Sequence, residues 1–282
     1  MERPDPRVTF REVVRDGVSR PDALAVEEPL EIRVDGEAVA TTMRTPGNDP
    51  DLALGYLFCE GILTGAADVS TVAPCGRPGD EGYGNVIDVR SGAGVHLDPE
   101  RMLDGHRMAP ISSACGVCGR RSIEAFADRV RPVDPSRRVP ASLVVAAVKA
   151  ISGAQPAFAR TGGLHAAVLV GAGGEVLAAA EDVGRHNAVD KVVGALVRAG
   201  RLGAGAPPGD GPAVLAVSGR TGFEIVQKAA AARIPAVASI SAPTSLAVDL
   251  ARSAGIALAG FVRNGSMNVY AHAERLTGGR VA

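Results

Sequence analysis

Segments of helix length and strand length alternate along the second half of the chain, and this order restricts the possible folds more than any other feature. The predicted segments are a helix over 141–151, strands over 164–170 and 175–180, a helix over 185–198, a strand over 213–217, a helix over 221–233, a strand over 236–240, a helix over 244–254 and a strand over 256–262. Strands that alternate with helices form layers around a mostly parallel sheet, because each helix crosses over one face of the sheet. We therefore predict an α/β fold for this half.

The first third of the chain predicts a smaller domain of α+β structure. Asp35-Gly36 separates two segments in which apolar and polar residues alternate, which is typical of a β-hairpin with a type I′ turn. Asn48-Asp49-Pro50 then predicts the start of a helix, since proline fits the first helical turn. We divide the chain into an N-terminal α+β domain over 1–110, a loop and linker helix over 111–139, and the α/β domain over 140–282.

The charge balance argues against some classes of partner. The chain has 30 Lys and Arg residues against 31 Asp and Glu residues, so its formal net charge is −1 and it has no basic excess for a nucleic-acid partner. No uninterrupted apolar segment approaches the roughly 18 residues that a membrane span needs, and no apolar signal segment is present near the N-terminus. We expect a cytoplasmic protein with neither a nucleic-acid nor a membrane partner.

Two of the four cysteines form the most specific local pattern. Cys115 and Cys118 are separated by two residues, and the positive charges of Arg120 and Arg121, which follow them, favour the reactive thiolate. In a reducing cytosol such a pair indicates thiol chemistry, either disulfide exchange or a relay that carries sulfur as a persulfide. A thioredoxin-like pair belongs at the start of a helix directly after a strand, whereas this pair lies in an irregular, glycine-rich segment.

A zinc site is a third interpretation of the same cysteines. It would recruit Cys59 and Cys75 to complete four ligands. The spacing matches no common zinc ribbon, and Cys59 falls within an apolar helical segment, where a lone thiol usually packs as a small hydrophobic side chain. We therefore predict Cys115 and Cys118 as the catalytic residues and expect no metal of the protein's own.

Three loops of the α/β domain have the composition of an anion-binding site. Residues 218–222 follow a predicted strand and open a helix, residues 241–245 repeat this arrangement, and residues 261–266 follow the last strand. Serine and threonine at helix starts are often only caps. Ligands of open α/β sheets bind at the carboxyl ends of strands, however, so we predict a nucleotide or another phosphorylated cofactor here. The candidates in the first loop are Ser218, Gly219, Arg220 and Thr221.

Residues 181–191 form another polar cluster, at a predicted junction between a strand and a helix. His186 and Asp190 are four residues apart and would share a helix face, so that the carboxylate would orient the imidazole. Alternatively, Asp182 caps the helix and this face is simply solvated. His165 lies in an apolar strand and is interpreted as a core or rim histidine rather than a ligand.

Six motifs in this order resemble the FdhD sulfur carrier proteins. They are Ser-Ser-Ala-Cys-Gly-Val-Cys-Gly (112–119), Thr-Gly-Gly-Leu-His-Ala-Ala (161–167), Glu-Asp-Val-Gly-Arg-His-Asn-Ala-Val-Asp-Lys (181–191), Ser-Gly-Arg-Thr-Gly-Phe-Glu (218–224), Ser-Ala-Pro-Thr-Ser-Leu-Ala (241–247) and Gly-Phe-Val-Arg-Asn-Gly-Ser-Met-Asn-Val-Tyr (260–270). The resemblance covers nearly the whole chain. It implies a cytoplasmic accessory protein that takes sulfur from a cysteine desulfurase as a persulfide and transfers it to the molybdenum cofactor, as formate dehydrogenase activity requires.

The resemblance also implies roles for individual residues. Cys115 matches the cysteine that carries the persulfide, and Cys118 matches its partner in the family's Cys-x-x-Cys. The segment associated with the guanine dinucleotide form of the cofactor corresponds to Phe261, Val262, Arg263, Asn264, Gly265 and Ser266. The family's second domain is cytidine-deaminase-like, with three layers, and a homodimer is expected.

Two other functions stay open. The implied fold suggests a zinc deaminase, but such enzymes need His-x-Glu and Pro-Cys-x-x-Cys motifs so that metal and proton shuttle act on one water. The corresponding places read His186-Asn187-Ala188 and Ser218-Gly219-Arg220-Thr221-Gly222, which lack the metal ligands and the general acid. The second alternative is a chaperone of the cofactor whose thiols only assist docking.

Overall fold

The computed structural model describes residues 5–77, 79, 83–98, 110–111, 132–207, 209 and 211–278. Its helices are α1 (Asp49–Cys59), α2 (Ala141–Gly153), α3 (Pro156–Thr161), α4 (Arg185–Arg198), α5 (Phe223–Ala231) and α6 (Ser245–Ala254). Its strands are β1 (Val8–Arg15), β2 (Val18–Ala25), β3 (Glu28–Val34), β4 (Glu37–Arg44), β5 (Val69–Pro74), β6 (Val86–Ser91), β7 (Pro110–Ile111), β8 (Val139–Pro140), β9 (His165–Val170), β10 (Val176–Asp182), β11 (Val214–Val217), β12 (Ala236–Ser239), β13 (Ala257–Arg263), β14 (Ser266–Ala271) and β15 (Leu276–Thr277). Within these ranges, none of the helices combines the length and the hydropathy that crossing a bilayer would require.

The central sheet of the second half contains β10, β9, β11, β12, β13 and β14 in this spatial order. β11 pairs in parallel with β12, and β12 with β13, whereas the hairpins β9–β10 and β13–β14 at the two edges are antiparallel. β9 also runs antiparallel to β11. Within the described residues, β10, β11, β12 and β13 therefore share one direction. The sheet is mixed rather than mostly parallel as predicted, because three of its five neighbouring strand pairs are antiparallel: the two edge hairpins and the pair β9–β11.

Helices cover both faces of this sheet. Along β9, Ala166, Val168 and Val170 belong to the hydrophobic cluster that contains α2, whereas Ala167 and Leu169 belong to the cluster that contains α4, α5 and α6. The alternation follows from the two-residue repeat of a strand. Aliphatic side chains and alanine supply nearly all of both clusters, since the chain has six Phe, three Tyr and no Trp. The central sheet is therefore the middle layer of a helix–sheet–helix arrangement.

The N-terminal region contains a second sheet with the strand order β5, β6, β3, β4 and β7. Asp35 and Gly36 join β3 to β4 with φ values of 50° and 91°, so the predicted type I′ turn is confirmed. α1 begins after Asn48 with a proline in its first turn, as predicted. The apolar side chains of α1 pack in one core with β3 and α4.

Two glycines let α1 and α4 cross with their backbones in contact. A Cβ added to Gly194 would lie 2.6 Å from the amide nitrogen of Gly55, and one added to Gly55 would lie 2.6 Å from the carbonyl carbon of Asp190. Carbon atoms in contact prefer a separation of about 3.5–4.0 Å, so any larger side chain would overlap the facing helix. The absence of side chains at these two positions therefore sets the distance between the helices.

One hydrophobic cluster extends from the N-terminal sheet to the helices on one face of the central sheet. It includes Leu30 and Ile32 of β3 together with Val192 of α4 and Ile225 of α5. The N-terminal region and the central sheet thus share part of their core. The predicted domain boundaries at 110 and 140 stay a prediction, because the segment between them lies largely outside the described residues.

The structure contains two hairpins that the sequence analysis did not predict. β1 and β2 pair over eight residues around a turn at Asp16 and Gly17, and they form a separate two-stranded ribbon. β14 pairs with β13 around a turn at Asn264 and Gly265. Helix α5 also begins two residues later than predicted, because Gly222 at its N-cap is extended.

Candidate functional site

The carboxyl ends of β10, β11, β12 and β13 lie at one edge of the central sheet, together with the first residue of β9. We call this edge the rim, and its residues are His165, 182–186, 218–222, 240–244 and 260–266. All of the predicted cofactor-binding residues lie on the rim. This placement follows from the common direction of four strands, because the loops after them emerge on the same side.

The loop after β11 is fastened to β9 through both polar groups of Ser218. The amide of Ser218 donates a hydrogen bond to the carbonyl of Ala166 (3.0 Å), and its Oγ accepts one from the amide of Ala166 (2.9 Å). Gly219 then passes so close to His165 that an added Cβ would lie 3.1 Å from Nδ1. Ser218 is therefore an anchor of this loop, and Gly219 brings its backbone against His165.

Thr221 joins the loop after β11 to the loop after β12. Its amide donates to the carbonyl of Ala242 (3.2 Å), and its carbonyl accepts from the amide of Thr244 (3.0 Å). The residue is fully buried, at 0% exposure, and its Oγ1 has no hydrogen-bond partner among the described residues. A buried polar group without a partner costs about 1–3 kcal/mol. The protein thus holds an unsatisfied hydroxyl within a loop of the rim.

β13 ends in a bulge that displaces its last residues from the regular ladder. Phe261 has a φ of 52°, which is uncommon for a bulky side chain, and its amide donates to the carbonyl of Ser241 (3.1 Å). Gly260 precedes it at a point where a Cβ would lie 3.0 Å from Cδ of Pro243. Phe261 is 38% exposed, so the rim presents an aromatic surface next to Arg263.

The hairpin between β13 and β14 turns at Asn264 and Gly265, whose φ values are 52° and 80°. Positive φ at both positions is the type I′ geometry that Asn-Gly favours. Arg263 and Ser266 flank the turn and are exposed, whereas Val262 is buried in the core beneath it. Val262 therefore offers a ligand only its backbone, while the rest of the predicted segment reaches the surface.

Arg220 and Arg263 are both exposed on the rim, but they lie on different loops. They follow β11 and β13, which are separated by β12. Two interstrand spacings amount to about 10 Å. The structure thus distributes the two predicted anion-binding arginines along the edge rather than bringing them to one point.

His186 and Asp190 both lie on α4 as predicted, but the carboxylate that binds the imidazole is a different one. His186 Nε2 lies 2.7 Å from Glu224 Oε2 on α5. Asp190 instead accepts hydrogen bonds from Lys228 Nζ (2.7 and 2.9 Å) within the core. Because Glu224 and Lys228 are also four residues apart, a His–Glu contact and a Lys–Asp ion pair join the two helices. The prediction that Asp190 orients His186 is wrong, since the partners come from the packing of two helices.

Asp182 supports the start of α4 from the interior. Its carboxylate is fully buried, lies 2.7 Å from Lys191 Nζ, and accepts hydrogen bonds from the amides of Thr45 (3.2 Å) and Gly184 (2.8 Å). Asn187 Nδ2 donates to it as well, at 3.0 Å. Asp182 does not cap α4, whose first turn has no side-chain cap. A buried network whose polar groups all have hydrogen-bond partners stabilises a single arrangement of its side chains.

Positive charge dominates the part of the rim between β9 and α4. Burial lowers the pKa of the half-buried His165, and the charges of Arg185, His186 and Arg220 lower it further. Asp182 acts in the opposite direction, but a lysine already pairs with its charge. The Nε of Arg185 is buried, and no described residue accepts a hydrogen bond from it. His165 thus lies at the rim, one of the two places predicted for it, and positively charged side chains surround it.

The predicted reactive pair, Cys115 and Cys118, lies outside the described residues. Cys59 is 2% exposed, and burial raises the pKa of its thiol, so the prediction of a small buried side chain is confirmed. Cys75 directly follows β5 and is half-buried. In the part of the chain that the structure describes, no group of three or more His, Cys, Asp and Glu residues is arranged to hold a metal ion.

Two residues of this site were not singled out from the sequence. Arg185 is the first residue of α4, and Glu224 lies in the first turn of α5. A signal for Glu224 was present, because Glu224 and Lys228 repeat the four-residue spacing of His186 and Asp190 with the charges reversed. Arg185 had no comparable signal, since its unsatisfied Nε becomes visible only in the folded chain.

Comparison with known proteins shows to which family this chain is related. The model of the FdhD/NarQ family matches residues 25–277. The chain belongs to the FdhD/NarQ family. Sulfur carrier protein FdhD of Anaeromyxobacter dehalogenans strain 2CP-C is 65% identical to it over 269 residues, which are 95% of this chain and 93% of that protein. Sulfur carrier protein FdhD of Mycobacterium tuberculosis is 47% identical over 268 residues, 92% of this chain and 94% of that protein.

A solved structure shows that the fold recurs. The crystal structure from Desulfotalea psychrophila, assigned as a formate dehydrogenase accessory protein, superposes with a TM-score of 0.70 and 22% identity, and the match covers 95% of this chain and 98% of that one. The resemblance to the FdhD family that the six motifs indicated is therefore confirmed, and so is a mixed α/β fold with several sheets.

Proposed function

We propose that this FdhD/NarQ protein is a sulfur carrier that passes persulfide sulfur from a cysteine desulfurase to the molybdenum cofactor, in its guanine dinucleotide form, for the maturation of a formate dehydrogenase. The relatives in Anaeromyxobacter and Mycobacterium are named sulfur carrier proteins, and the solved structure is assigned as a formate dehydrogenase accessory protein, which supports sulfur transport and a link to formate dehydrogenase. The proposal includes a cytoplasmic homodimer and a cytidine-deaminase-like second half, which the helix–sheet–helix order supports.

The rim is the observation that carries the cofactor half of the proposal. It presents Arg220, Arg263 and the exposed ring of Phe261 at the carboxyl ends of strands. Guanidinium groups match phosphate oxygens, and an exposed aromatic ring offers a stacking surface for a base. The cofactor is cargo in this scheme, so the rim must both hold it and release it. Exposed side chains on separate loops suit such a transient role.

The sulfur half of the proposal is a thiol exchange at Cys115. Its thiolate, favoured by Arg120 and Arg121, attacks the outer sulfur of the desulfurase persulfide. The sulfur–sulfur bond of the donor breaks, the desulfurase leaves as a thiolate, and Cys115 becomes the persulfide, so no oxidant or reductant is consumed. Cys118 then attacks this persulfide. Attack on the outer sulfur moves that atom to Cys118, whereas attack on the inner sulfur forms a disulfide and releases hydrosulfide.

Mass spectrometry after incubation with a cysteine desulfurase and cysteine tests the transfer. The wild-type chain should gain one sulfur atom, and the Cys115→Ala variant should fail to gain it. Cys75→Ala is the matched control, because Cys75 is a partly exposed thiol outside the proposed route. An adduct that forms equally well in Cys115→Ala would show that the relay has been assigned to the wrong residue.

Formate dehydrogenase maturation distinguishes the carrier from a chaperone that only holds the cofactor. The Cys115→Ala/Cys118→Ala variant should abolish maturation if sulfur passes through these thiols. A pure chaperone would retain it. Binding of GDP, a fragment of the proposed cargo, should be unchanged in the double variant and serves as the measure of correct folding.

A further inference from the structure

The guanidinium of Arg185 is the most prominent feature of the rim that the proposed function leaves unused. Arg185 is the first residue of α4 and is partly buried. Its Nε is buried, and no described residue accepts a hydrogen bond from it. Removing part of a cation from water without supplying a partner is unfavourable. A partly buried guanidinium with an unsatisfied Nε at this edge of the sheet points to an anion as its partner.

Two side chains, those of His165 and Arg185, lie close to the backbone of the loop after β11 at Gly219. A Cβ added to Gly219 would lie 3.1 Å from Nδ1 of His165 and 3.9 Å from Cδ of Arg185. The glycine backbone therefore lies between an imidazole and the stem of the arginine. Two residues further along, the fully buried Thr221 carries the hydroxyl without a partner. Both unsatisfied buried side-chain atoms found in the described residues thus belong to this loop and the helix beside it.

The start of α4 adds to the positive potential. Among the described residues no N-cap side chain bonds to its first turn, so the positive end of the helix dipole lies next to Arg185. The amide of Gly184 already donates to Asp182 Oδ1. The nearby acidic groups are already paired. Asp182 lies 2.7 Å from Lys191 Nζ, and Glu224 Oε2 lies 2.7 Å from His186 Nε2. Asp182 and Glu224 therefore each bind a side chain other than Arg185.

We infer that Arg185, His165 and the loop from Gly219 to Thr221 form a phosphate-binding site on the rim, separate from the hairpin at 261–266. β9, which carries His165, and β13, which carries the hairpin, are three strand positions apart, or about 14 Å, so a phosphate held by His165 and Arg185 lies away from that hairpin. The guanidinium fork and adjacent backbone amides match a phosphate dianion. The phosphate is either free in solution or part of the dinucleotide cargo, and in the second case the inference rests on the proposed function.

Calorimetric titration of the full chain with inorganic phosphate is the primary test. The wild type should bind phosphate, Arg185→Gln should bind it at least tenfold more weakly, and Arg185→Lys should retain part of the affinity because it keeps the charge. Arg252→Gln is the matched control, since Arg252 lies near the end of α6, at the opposite edge of the sheet. Absence of phosphate binding by the wild type, or equal binding by Arg185→Gln, overturns the inference.

Thr221→Val gives a second test that does not depend on removing a charge. Valine has the shape of threonine without the hydroxyl, so replacing an unsatisfied buried oxygen should leave the thermal unfolding midpoint unchanged or raise it. Phosphate affinity should fall several-fold in the same variant. A variant that binds phosphate as well as the wild type would remove Thr221 from the site and, together with an unaffected Arg185→Gln, would reject the site altogether.

Titration with GDP distinguishes the two sources of the phosphate. If Arg185→Gln weakens inorganic phosphate and GDP alike, the site holds a phosphate of the nucleotide. If it weakens inorganic phosphate alone, the site holds a free phosphate. Arg185→Gln should still gain the one-sulfur adduct from a desulfurase, so a failed sulfur relay and a failed phosphate site give different results.

Discussion

The ion pair of Asp190 and Lys228 is the most deeply buried charged contact between α4 and α5. Lys228 Nζ lies 2.7 Å and 2.9 Å from the two carboxylate oxygens, and 5.7 Å from the centroid of the Tyr56 ring. Burial by itself would lower the pKa of Lys228, but the charge of Asp190 outweighs this effect and raises it. The lysine therefore stays protonated inside the core, and each charge depends on the other.

Lys228→Met should destabilise the protein by about 3–5 kcal/mol, because it leaves the Asp190 carboxylate buried without its cationic partner. Urea unfolding followed by circular dichroism measures the loss. Asp190→Leu/Lys228→Met should recover much of the stability, since it removes both charges from the core. Additive losses in the double variant would contradict the dependence of the two side chains on each other.

His165 should make the protein sensitive to mild acid. Its pKa is lowered in the folded chain, chiefly by burial, whereas it is about 6.5 in the unfolded chain. The folded state therefore binds this proton less readily, so the stability that His165 contributes is complete above about pH 6.5 and is lost as the pH falls towards the folded-state pKa.

The difference in unfolding free energy between neutral and mildly acidic solution, measured in phosphate-free buffer, should be smaller in His165→Asn than in the wild type. His272→Asn is the control, because His272 lies after β14 and away from the rim. An equal acid sensitivity of the wild type and His165→Asn would show that other groups cause it.

The helices were predictable in proportion to how clearly one face is apolar. α4 begins and ends at the predicted residues, because Val189, Val193 and Leu196 mark its buried side at helical spacing. The hairpins were missed for a different reason. Asp16-Gly17 and Asn264-Gly265 are the same kind of turn that identified the β3–β4 hairpin. The strands that flank the first are mostly exposed and lack a regular apolar alternation, and the second joins a bulged strand to an edge strand.

The crossing of α1 and α4 gives a prediction at the level of elements. Gly194→Ala should destabilise the protein by about 3 kcal/mol or more, because the new methyl group would overlap the backbone of α1. Thermal unfolding measures the effect. Gly153→Ala is the matched control: Gly153 ends α2 with open space around it, so alanine there should be neutral or slightly stabilising. Similar midpoints for the two variants would disprove the close contact.

The N-terminal region and the central sheet share more of the hydrophobic core than the predicted division into domains suggests. Leu30 and Ile32 of the N-terminal sheet belong to the same buried cluster as Val192 and Ile225. We expect the N-terminal region and the central sheet to unfold together in a single cooperative transition in urea. Coincident curves from far-ultraviolet circular dichroism and from tyrosine fluorescence would support this, and two separated transitions would contradict it.

The position of the candidate site was predictable to the extent that strand direction alone determines it. Strand direction brings residues 218–221 and 261–266 to one edge, and the sequence pattern was sufficient to indicate that edge. The partners of His186 and Asp190 were not predictable, because they depend on how α4 packs against α5. The unsatisfied Nε of Arg185 is equally invisible in a sequence, since burial is a property of the folded chain.

The glycine crossing of α1 and α4 also limits how the two halves of the molecule can move. Helices that pack through side chains can slide past each other as those side chains change rotamer. The backbones of α1 and α4 are in direct contact at Gly55 and Gly194, so no layer of side chains lies between them there to permit such sliding. α1 and α4 are therefore expected to move as one unit, and Arg185, the first residue of α4, would keep its position relative to α1.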